Sequence, residues 1–191
     1  MARDPLSLCG WAWLAWALAW AAAATRTEPT ERSEPRLRRL EHSGATALAL
    51  GLLFWPAAVL GPLGRAWLSA ASWRWAGAAA TVCGLSFAGW ARYHIGRYWS
   101  GTITLKRGHR LITSGPYGLT RHPIYTGFLS AILGTAVAGG RLAGLVAAVL
   151  ALLVYRRKLR REEALMRERF GADYEDYCRR VPALIPRLGS R

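Results

Sequence analysis

The chain has 191 residues, about the length of one domain, and 26 Lys and Arg against 11 Asp and Glu give it a net charge of +15. Yet 52% of the residues are hydrophobic, ten are Trp, and the mean hydropathy is +0.11. This composition excludes a disordered basic tail, which is poor in apolar residues, and it disfavours a soluble nucleic-acid-binding domain. We therefore expect a basic membrane protein with membrane lipids, and no nucleic acid, as partners.

The three cysteines, Cys9, Cys83 and Cys178, lie far apart in the sequence. Their number is odd, and neither a C-x-x-C pair nor any other metal-ligand spacing is present. We expect free thiols, no disulfide framework and no metal site.

Five uncharged runs are long enough, or nearly so, for helices that cross a bilayer of ~30 Å. The last run reaches the required length if Arg141 and Arg156 extend toward the two interfaces. The sequence thus predicts an all-α integral membrane protein with a tight hairpin between the last two helices. The five predicted transmembrane helices cover about 6–24, 44–64, 75–91, 123–140 and 142–157.

Three of these helices carry further signals. The first could instead be a cleaved signal peptide ending near Ala24, but its length and four Trp favour a retained helix. Pro56 and Pro62 predict a kink in the second. In the fourth, small residues recur every four positions in two ridges, which predicts close neighbours on both sides. The ridges are Gly127, Ala131, Thr135 and Ser130, Gly134, Ala138.

The basic residues alternate strongly between connectors. Of the 26 Lys and Arg, 22 fall on the connectors 25–43 and 92–122 and on the tail 156–191. By the positive-inside rule these segments face the cytoplasm and the N-terminus faces outward. The Arg- and Ala-rich composition suggests a bacterial inner membrane.

Two segments on the predicted cytoplasmic side are candidates for chemistry. Residues 109–125 contain no acid and combine a Ser-Gly-Pro turn with Arg121 and His122 just before a helix N-terminus, where anions bind well. Glu162 and Glu163 interrupt a basic stretch after the fifth span. These acids could simply form surface pairs such as Lys158–Glu162, which are common on helices.

A stripe in the tail predicts one more helix. Phe170, Tyr174, Tyr177 and Val181 recur at helical spacing, and Pro182 should end the helix. We interpret this amphipathic helix as lying on the lipid headgroups.

Over about residues 93–188 the sequence resembles the isoprenylcysteine carboxyl methyltransferase family and the related phospholipid methyltransferases. Any one motif is weak, but five in this order and spacing are specific. The motifs are His109-x-Leu-Ile-Thr-Ser-Gly-Pro-Tyr117, Arg121-His-Pro-x-Tyr-x-Gly127, Glu162-Glu163, Phe170-Gly-x-x-Tyr-x-x-Tyr177 and Val181-Pro-x-x-Ile-Pro186.

The resemblance implies an integral-membrane enzyme that transfers a methyl group from S-adenosylmethionine to a lipophilic acceptor. It also implies that the cytosolic loop, the helical hairpin and the C-terminal amphipathic helix form the cofactor pocket. Glu162 would accept hydrogen bonds from the ribose or the ammonium, His122 would meet the methionine carboxylate, and Leu111 would lie against adenine. The residues implied in cofactor binding are His109, Leu111, Ile112, Gly115, Tyr117, His122, Pro123, Tyr125 and Glu162.

For the reaction itself the resemblance points to Arg121, Glu163 and Lys158. The family usually has an arginine, thought to orient an acceptor carboxylate, where this chain has Lys158. Lysine keeps the charge but loses the bidentate fork, so amine, thiol or hydroxyl acceptors stay open. An amine acceptor would need a base, which Glu162 or Glu163 could supply.

Two other functions remain open from the sequence, a nicotinamide-dependent membrane reductase of the sterol-reductase type and a non-catalytic membrane scaffold. We expect residues 1–92 to form the substrate side and residues 93–191 to form the methyltransferase core.

Overall fold

A computed structural model describes residues 4–24, 30–33, 36–99, 104–106 and 110–186. Within these ranges the chain is mostly helical, with two short 3₁₀ helices at Gly61–Gly64 and Gly96–Tyr98 and two short strands, β1 (Thr30–Ser33) and β2 (Thr104–Lys106). The α-helices are α1 (Pro5–Ala24), α2 (Arg36–Phe54), α3 (Ala71–Ile95), α4 (Pro116–Leu119), α5 (Pro123–Gly139), α6 (Leu142–Phe170) and α7 (Ala172–Arg180).

Each predicted span overlaps one of the long helices α1, α2, α3, α5 or α6. By length and apolar composition, one helical stretch among the described residues, Pro5–Ala23, is able to cross a bilayer. Ser43–Phe54 and Pro123–Gly139 are apolar but shorter. The helical architecture is therefore as expected, while five membrane crossings stay a prediction.

The predicted boundaries and kink of the second helix are wrong. Helix α2 starts at Arg36 instead of residue 44 and ends at Phe54. Residues after it form turns and a 3₁₀ helix. The reason is Pro56, which has no N–H and disfavours the helical region for Trp55. The proline ends the helix rather than bending it.

The centre of the fold is the contact between α3 and α5. A Cβ added at Gly84 would lie 2.6 Å from the carbonyl oxygen of Gly127, and one at Gly134 would lie 2.6 Å from that of Gly77. These glycines let the two backbones touch, as small residues do between membrane helices.

Both small-residue ridges of α5 pack on α3, through Ala131 and Ala138. Each ridge also meets α1, because Thr135 accepts a hydrogen bond from Trp13 and Ala138 packs with Cys9. Helix α5 thus has two close neighbours along these ridges, as expected.

A buried hydroxyl network joins α1 to this pair of helices. The hydroxyls of Thr81 and Thr135 lie 3.1 Å apart, and Trp13 Nε1 donates to Thr135 Oγ1 at 3.0 Å. Helix α6 returns beside α5 after a turn at Gly140, whose φ of +63° is a left-handed conformation that favours glycine. A Cβ there would also clash with the carbonyl oxygen of Leu68.

Strands β1 and β2 form an antiparallel pair that was not predicted, with Thr30 opposite Lys106. They join the connectors 25–43 and 92–122, two of the three segments that carry most of the positive charge. The predicted domain boundary between residues 92 and 93 falls inside α3.

Candidate active site

A cavity of about 500 Å³ lies where the first turns of α5 meet α6, α7 and the end of α1. Residues of α2 and the segments around 95–99 and 110–112 complete its walls. Nine of the twelve predicted site residues line it, namely Leu111, Ile112, Tyr117, Arg121, His122, Pro123, Tyr125, Lys158 and Glu162.

The start of α5 is held by the segment after α7. The backbone N–H groups of Arg121 and His122 donate to the carbonyls of Pro182 and Ala183, at 2.8 and 3.1 Å. The Thr126 hydroxyl donates to the Leu184 carbonyl at 2.7 Å. Because residues far apart in sequence are paired here, the end of the chain fixes where the Arg-His-Pro motif points.

Arg121 is a central connection between α5, α6 and α7. Its Nε and one terminal nitrogen donate to Glu163 Oε1 at 3.1 and 2.7 Å. The other terminal nitrogen donates to the carbonyls of Cys178 and Val181 at the C-terminal end of α7, at 3.2 and 2.5 Å. Such cations satisfy the last carbonyls of a helix.

Glu163 is a buried carboxylate surrounded by donors. Besides Arg121, His122 Nε2 lies 3.2 Å from its Oε1, and Arg167 lies 3.6 Å from its Oε2. Burial raises the pKa of Glu163, but the bonds from His122 and Arg121 outweigh burial and bring the pKa to about 2. The same ion pair outweighs burial at Arg121 and raises the pKa of that guanidinium. Glu163 is thus ionised and a weak base.

Glu162 has a different setting from its neighbour, because its side chain reaches the cavity. Tyr125 donates its hydroxyl to Glu162 Oε2 at 2.7 Å. The ammonium of Lys158 lies 5.6 Å from the centre of the Tyr125 ring, a cation–π distance. Glu162, Tyr125 and Lys158 therefore form one polar wall of the cavity.

Aromatic rings continue from these polar groups into the helices. His122 stacks on Tyr125 with centroids 5.7 Å apart, and Tyr125 stacks on Tyr155 at 5.4 Å. Phe128 follows beside Tyr155 at 6.3 Å, and Trp20 lies 5.8 Å from Phe128. The rings provide flat apolar walls beside the charged groups.

The Ser-Gly-Pro turn supports the cavity without lining it. Gly115 has a φ of +59°, and a Cβ there would lie 2.7 Å from the His94 ring, so this position favours glycine. His94 Nε2 lies 2.9 Å from the Ser114 hydroxyl. Gly115, predicted to contact the cofactor, thus shapes the turn that carries Tyr117. His109 lies outside the described residues.

The tail stripe faces the protein rather than a free surface. Tyr174 and Tyr177 are each 2% exposed and pack with Val181. Tyr177 also donates its hydroxyl to the Tyr117 carbonyl at 2.6 Å. The interpretation of α7 as a helix lying on lipid headgroups through this stripe is therefore wrong, because its apolar side is covered by Leu111 and Met166.

Several cavity residues were not predicted as site residues. The tyrosine spacing in the tail was a usable signal, whereas the residues from α1 and α2 carry no motif. The unpredicted lining residues include Trp20, Thr46, Leu50, Trp99, Arg110, Phe128, Tyr155, Met166, Tyr174 and Tyr177.

Known proteins are similar to about half of this chain. The profile of the phospholipid methyltransferase family matches residues 72–173. A stretch of 98 residues is 41% identical to the cobalt-zinc-cadmium resistance protein CzcN of Cupriavidus metallidurans, and covers 49% of this chain and 44% of that protein.

Two further relatives have enzymatic names. Protein-S-isoprenylcysteine O-methyltransferase B of Arabidopsis thaliana is 33% identical over 94 residues, which is 48% of each chain. Methanethiol S-methyltransferase 2 of Bradyrhizobium diazoefficiens is 43% identical over 76 residues, 39% of this chain and 28% of the relative. The chain spans less than half the length of these curated relatives.

The family profile starts in α3 and ends in α7. It therefore includes the α3–α5 pair at the centre of the fold and the polar residues at the start of α5 and on α6 that line the cavity. It therefore contains the Arg-His-Pro motif and the Glu162–Glu163 pair. The chain belongs to the phospholipid methyltransferase family, to which its similarity to isoprenylcysteine O-methyltransferases also points.

Proposed function

We propose that this protein transfers the methyl group of S-adenosylmethionine to a lipophilic acceptor at a membrane. The observation that carries this proposal is the cavity itself, which joins an acid and several cations to apolar aromatic walls in the region that the family shares. Its volume falls in the range of roughly 300 to 1,000 Å³ that is usual for small-molecule sites.

The residues of the cavity fit this cofactor. Glu162 offers a carboxylate for ribose hydroxyls or an ammonium group, and Leu111 and Ile112 offer apolar surface for adenine. His122, Lys158 and Arg110 supply positive or hydrogen-bonding groups for the methionine carboxylate. When bound, S-adenosylmethionine would supply an electrophilic methyl group on a sulfonium centre.

The protein's contribution would then be mostly orientation and exclusion of water. Arg121 and Glu163 suit a positioning role, because their side chains are engaged with each other and with the end of α7. A base for an amine acceptor would be Glu162 rather than Glu163, whose pKa of about 2 makes it a poor proton acceptor near neutral pH.

The acceptor is proposed to be lipophilic because the outer surface of the helices is apolar. Trp11 and Leu18 of α1 are 70% and 64% exposed, and Val149 of α6 is 58% exposed. Such a surface suits the interior of a bilayer. We propose that this bilayer is the bacterial inner membrane and that the cavity lies on its cytoplasmic side. A carboxylate, thiol or amine acceptor is compatible with Lys158 and Glu162.

Transfer of radiolabel tests this function. The protein in lipid nanodiscs is supplied with methyl-labelled S-adenosylmethionine and one of three acceptors: N-acetyl-S-farnesylcysteine, 1-decanethiol or phosphatidylethanolamine. We expect label in the organic extract with at least one acceptor, reduced by Glu162→Gln and unchanged by Glu168→Gln, an exposed acid on the same helix. Absence of labelled product with all three would argue against the proposal.

A further inference from the structure

Arg92 is a buried cation close to the cavity wall. Its side chain is near the end of α3 and the residue is 7% exposed. One terminal nitrogen donates to the Ala23 carbonyl in the last turn of α1 at 2.7 Å, and the other donates to the Gly96 carbonyl at 2.9 Å. Within the described ranges its bonds go to carbonyls, and its Nε is buried without a hydrogen-bond partner.

A buried guanidinium in this setting is unfavourable unless its contacts compensate. The flat guanidinium group of Arg92 makes its remaining contacts with two tryptophan rings. Its central carbon lies 4.4 Å from the centre of the Trp99 ring and 5.8 Å from that of Trp20. These are cation–π distances, and the interaction is stronger where water is excluded.

The two rings that Arg92 contacts also contact each other. Trp20 and Trp99 meet edge to face, with centroids 5.0 Å apart. Both line the cavity, although Trp20 comes from α1, outside the region that matches the family profile. Arg92 therefore connects the end of α1, through Ala23 and Trp20, to one wall of the cavity.

We infer that Arg92 is a positioning residue that holds Trp20 and Trp99 as the wall against which the apolar part of the methyl acceptor binds. This inference rests on the proposed function. It makes α1, through Trp20, a determinant of acceptor specificity, while cofactor binding depends on the segment 110–112, the start of α5 and α6. Replacing Arg92 should weaken binding of the methyl acceptor, and the loss should grow with the length of the acceptor's apolar chain.

Arg74 provides a matched control on the same helix. Its Nε donates to the Ala138 carbonyl at 2.8 Å, and it forms an ion pair with Asp4 at the start of α1 at 3.0 Å. Arg74 thus also ties α3 to α1, but at the opposite end of the helix from the cavity. A general effect of loosening α1 should appear in both Arg74→Gln and Arg92→Gln.

The test uses ethanethiol, hexanethiol and decanethiol added to the protein in nanodiscs loaded with S-adenosylhomocysteine. Binding is measured by thermal shift in the presence of S-adenosylhomocysteine. In a separate assay with S-adenosylmethionine as the methyl donor, KM and kcat are measured for any thiol that is methylated. We expect Arg92→Gln to weaken decanethiol binding about tenfold and ethanethiol binding less than twofold. We expect kcat and the affinity for S-adenosylhomocysteine to stay within about twofold, and Arg74→Gln to match the wild type.

Three results would overturn the inference: equal losses for short and long thiols, the same losses in Arg74→Gln, or a wild type that shows no chain-length dependence. If Arg92→Gln does not fold, Trp99→Leu removes the ring and keeps the carbonyl bonds, and should give the same selective loss. Failure of the wild type to bind S-adenosylhomocysteine would instead count against the proposed function.

Discussion

Two adjacent glutamates of α6 have different environments and, we propose, different tasks. Glu163 is buried and accepts bonds from Arg121 and His122. Glu162 accepts a bond from Tyr125 and lines the cavity. Successive helix positions point about 100° apart, so one acid faces the start of α5 while the other faces the ligand space.

Replacing Glu163 should destabilise the fold, most clearly at neutral pH. Glu163→Gln leaves the Arg121 cation buried without its charge partner, a change that costs roughly 3 kcal/mol in buried ion pairs. The folded-state pKa of about 2 lies below the ordinary value of 4.5, so the stabilisation is present above pH 4.5 and is lost as the pH falls toward 2.

Thermal unfolding between about pH 6 and about pH 3 checks this expectation. The difference in Tm between wild type and Glu163→Gln should be largest near about pH 6 and should shrink toward about pH 3. Glu168→Gln, on the same helix, should follow the wild type throughout. A constant difference between wild type and Glu163→Gln would show that the ion pair is not the cause.

The sequence was informative about these residues because the motifs are local. It placed Arg121, His122 and Glu162 at one site through their resemblance to a family. It could not distinguish a residue that lines the cavity from one that supports it, as Gly115 and Glu163 show. That distinction depends on tertiary contacts such as the His94 ring beside Gly115.

At the level of helices, the α3–α5 contact is sensitive to side-chain size. Gly84→Ala adds a methyl group 2.6 Å from the Gly127 carbonyl, so the helices must separate. We expect this variant to lose about 1 to 3 kcal/mol of stability. Gly89→Ala, five residues further along α3, meets nothing within 4 Å and should be neutral or slightly stabilising.

The pair of alanine variants is compared by thermal unfolding in the same detergent. A Gly84→Ala protein as stable as Gly89→Ala would show that α3 and α5 do not touch at Gly84.

Helix existence was easier to predict than helix ends and orientation. Long apolar runs gave α1 and α5 nearly to the residue, whereas Pro56 ended α2 where a kink was expected. The stripe of α7 predicted a helix correctly, but an amphipathic pattern has the same spacing whether its apolar side meets lipid or protein. Tertiary packing on Leu111 and Met166 decided this case.

For the whole molecule, charge distribution makes a prediction about orientation. With 22 of 26 basic residues on one set of connectors, the loop between α2 and α3 should face outward and α6 should end in the cytoplasm. We propose that the core begins in the first turn of α3, at residue 72, where the family match begins, and that the substrate side precedes it.

Two introduced cysteines test the orientation in a variant whose three native cysteines are replaced by alanine. Ser69→Cys, before α3, and Ala164→Cys, near the end of α6, are both at exposed positions. A membrane-impermeant maleimide should label Ser69→Cys in intact spheroplasts and Ala164→Cys only after the membrane is opened. The reverse pattern would contradict the orientation, and labelling of both in intact cells would contradict a sealed membrane between them.

Calorimetric titration of the purified protein with S-adenosylhomocysteine decides whether the cavity at the start of α5 is a cofactor site for S-adenosylmethionine. We predict saturable binding at a single site, weakened about tenfold or more by Glu162→Gln, since a charged hydrogen bond contributes about 1.5 to 3 kcal/mol. Glu168→Gln should bind as the wild type does, and NADPH should give no heat of binding. Binding of NADPH without binding of S-adenosylhomocysteine would show that the cavity is not a site for S-adenosylmethionine.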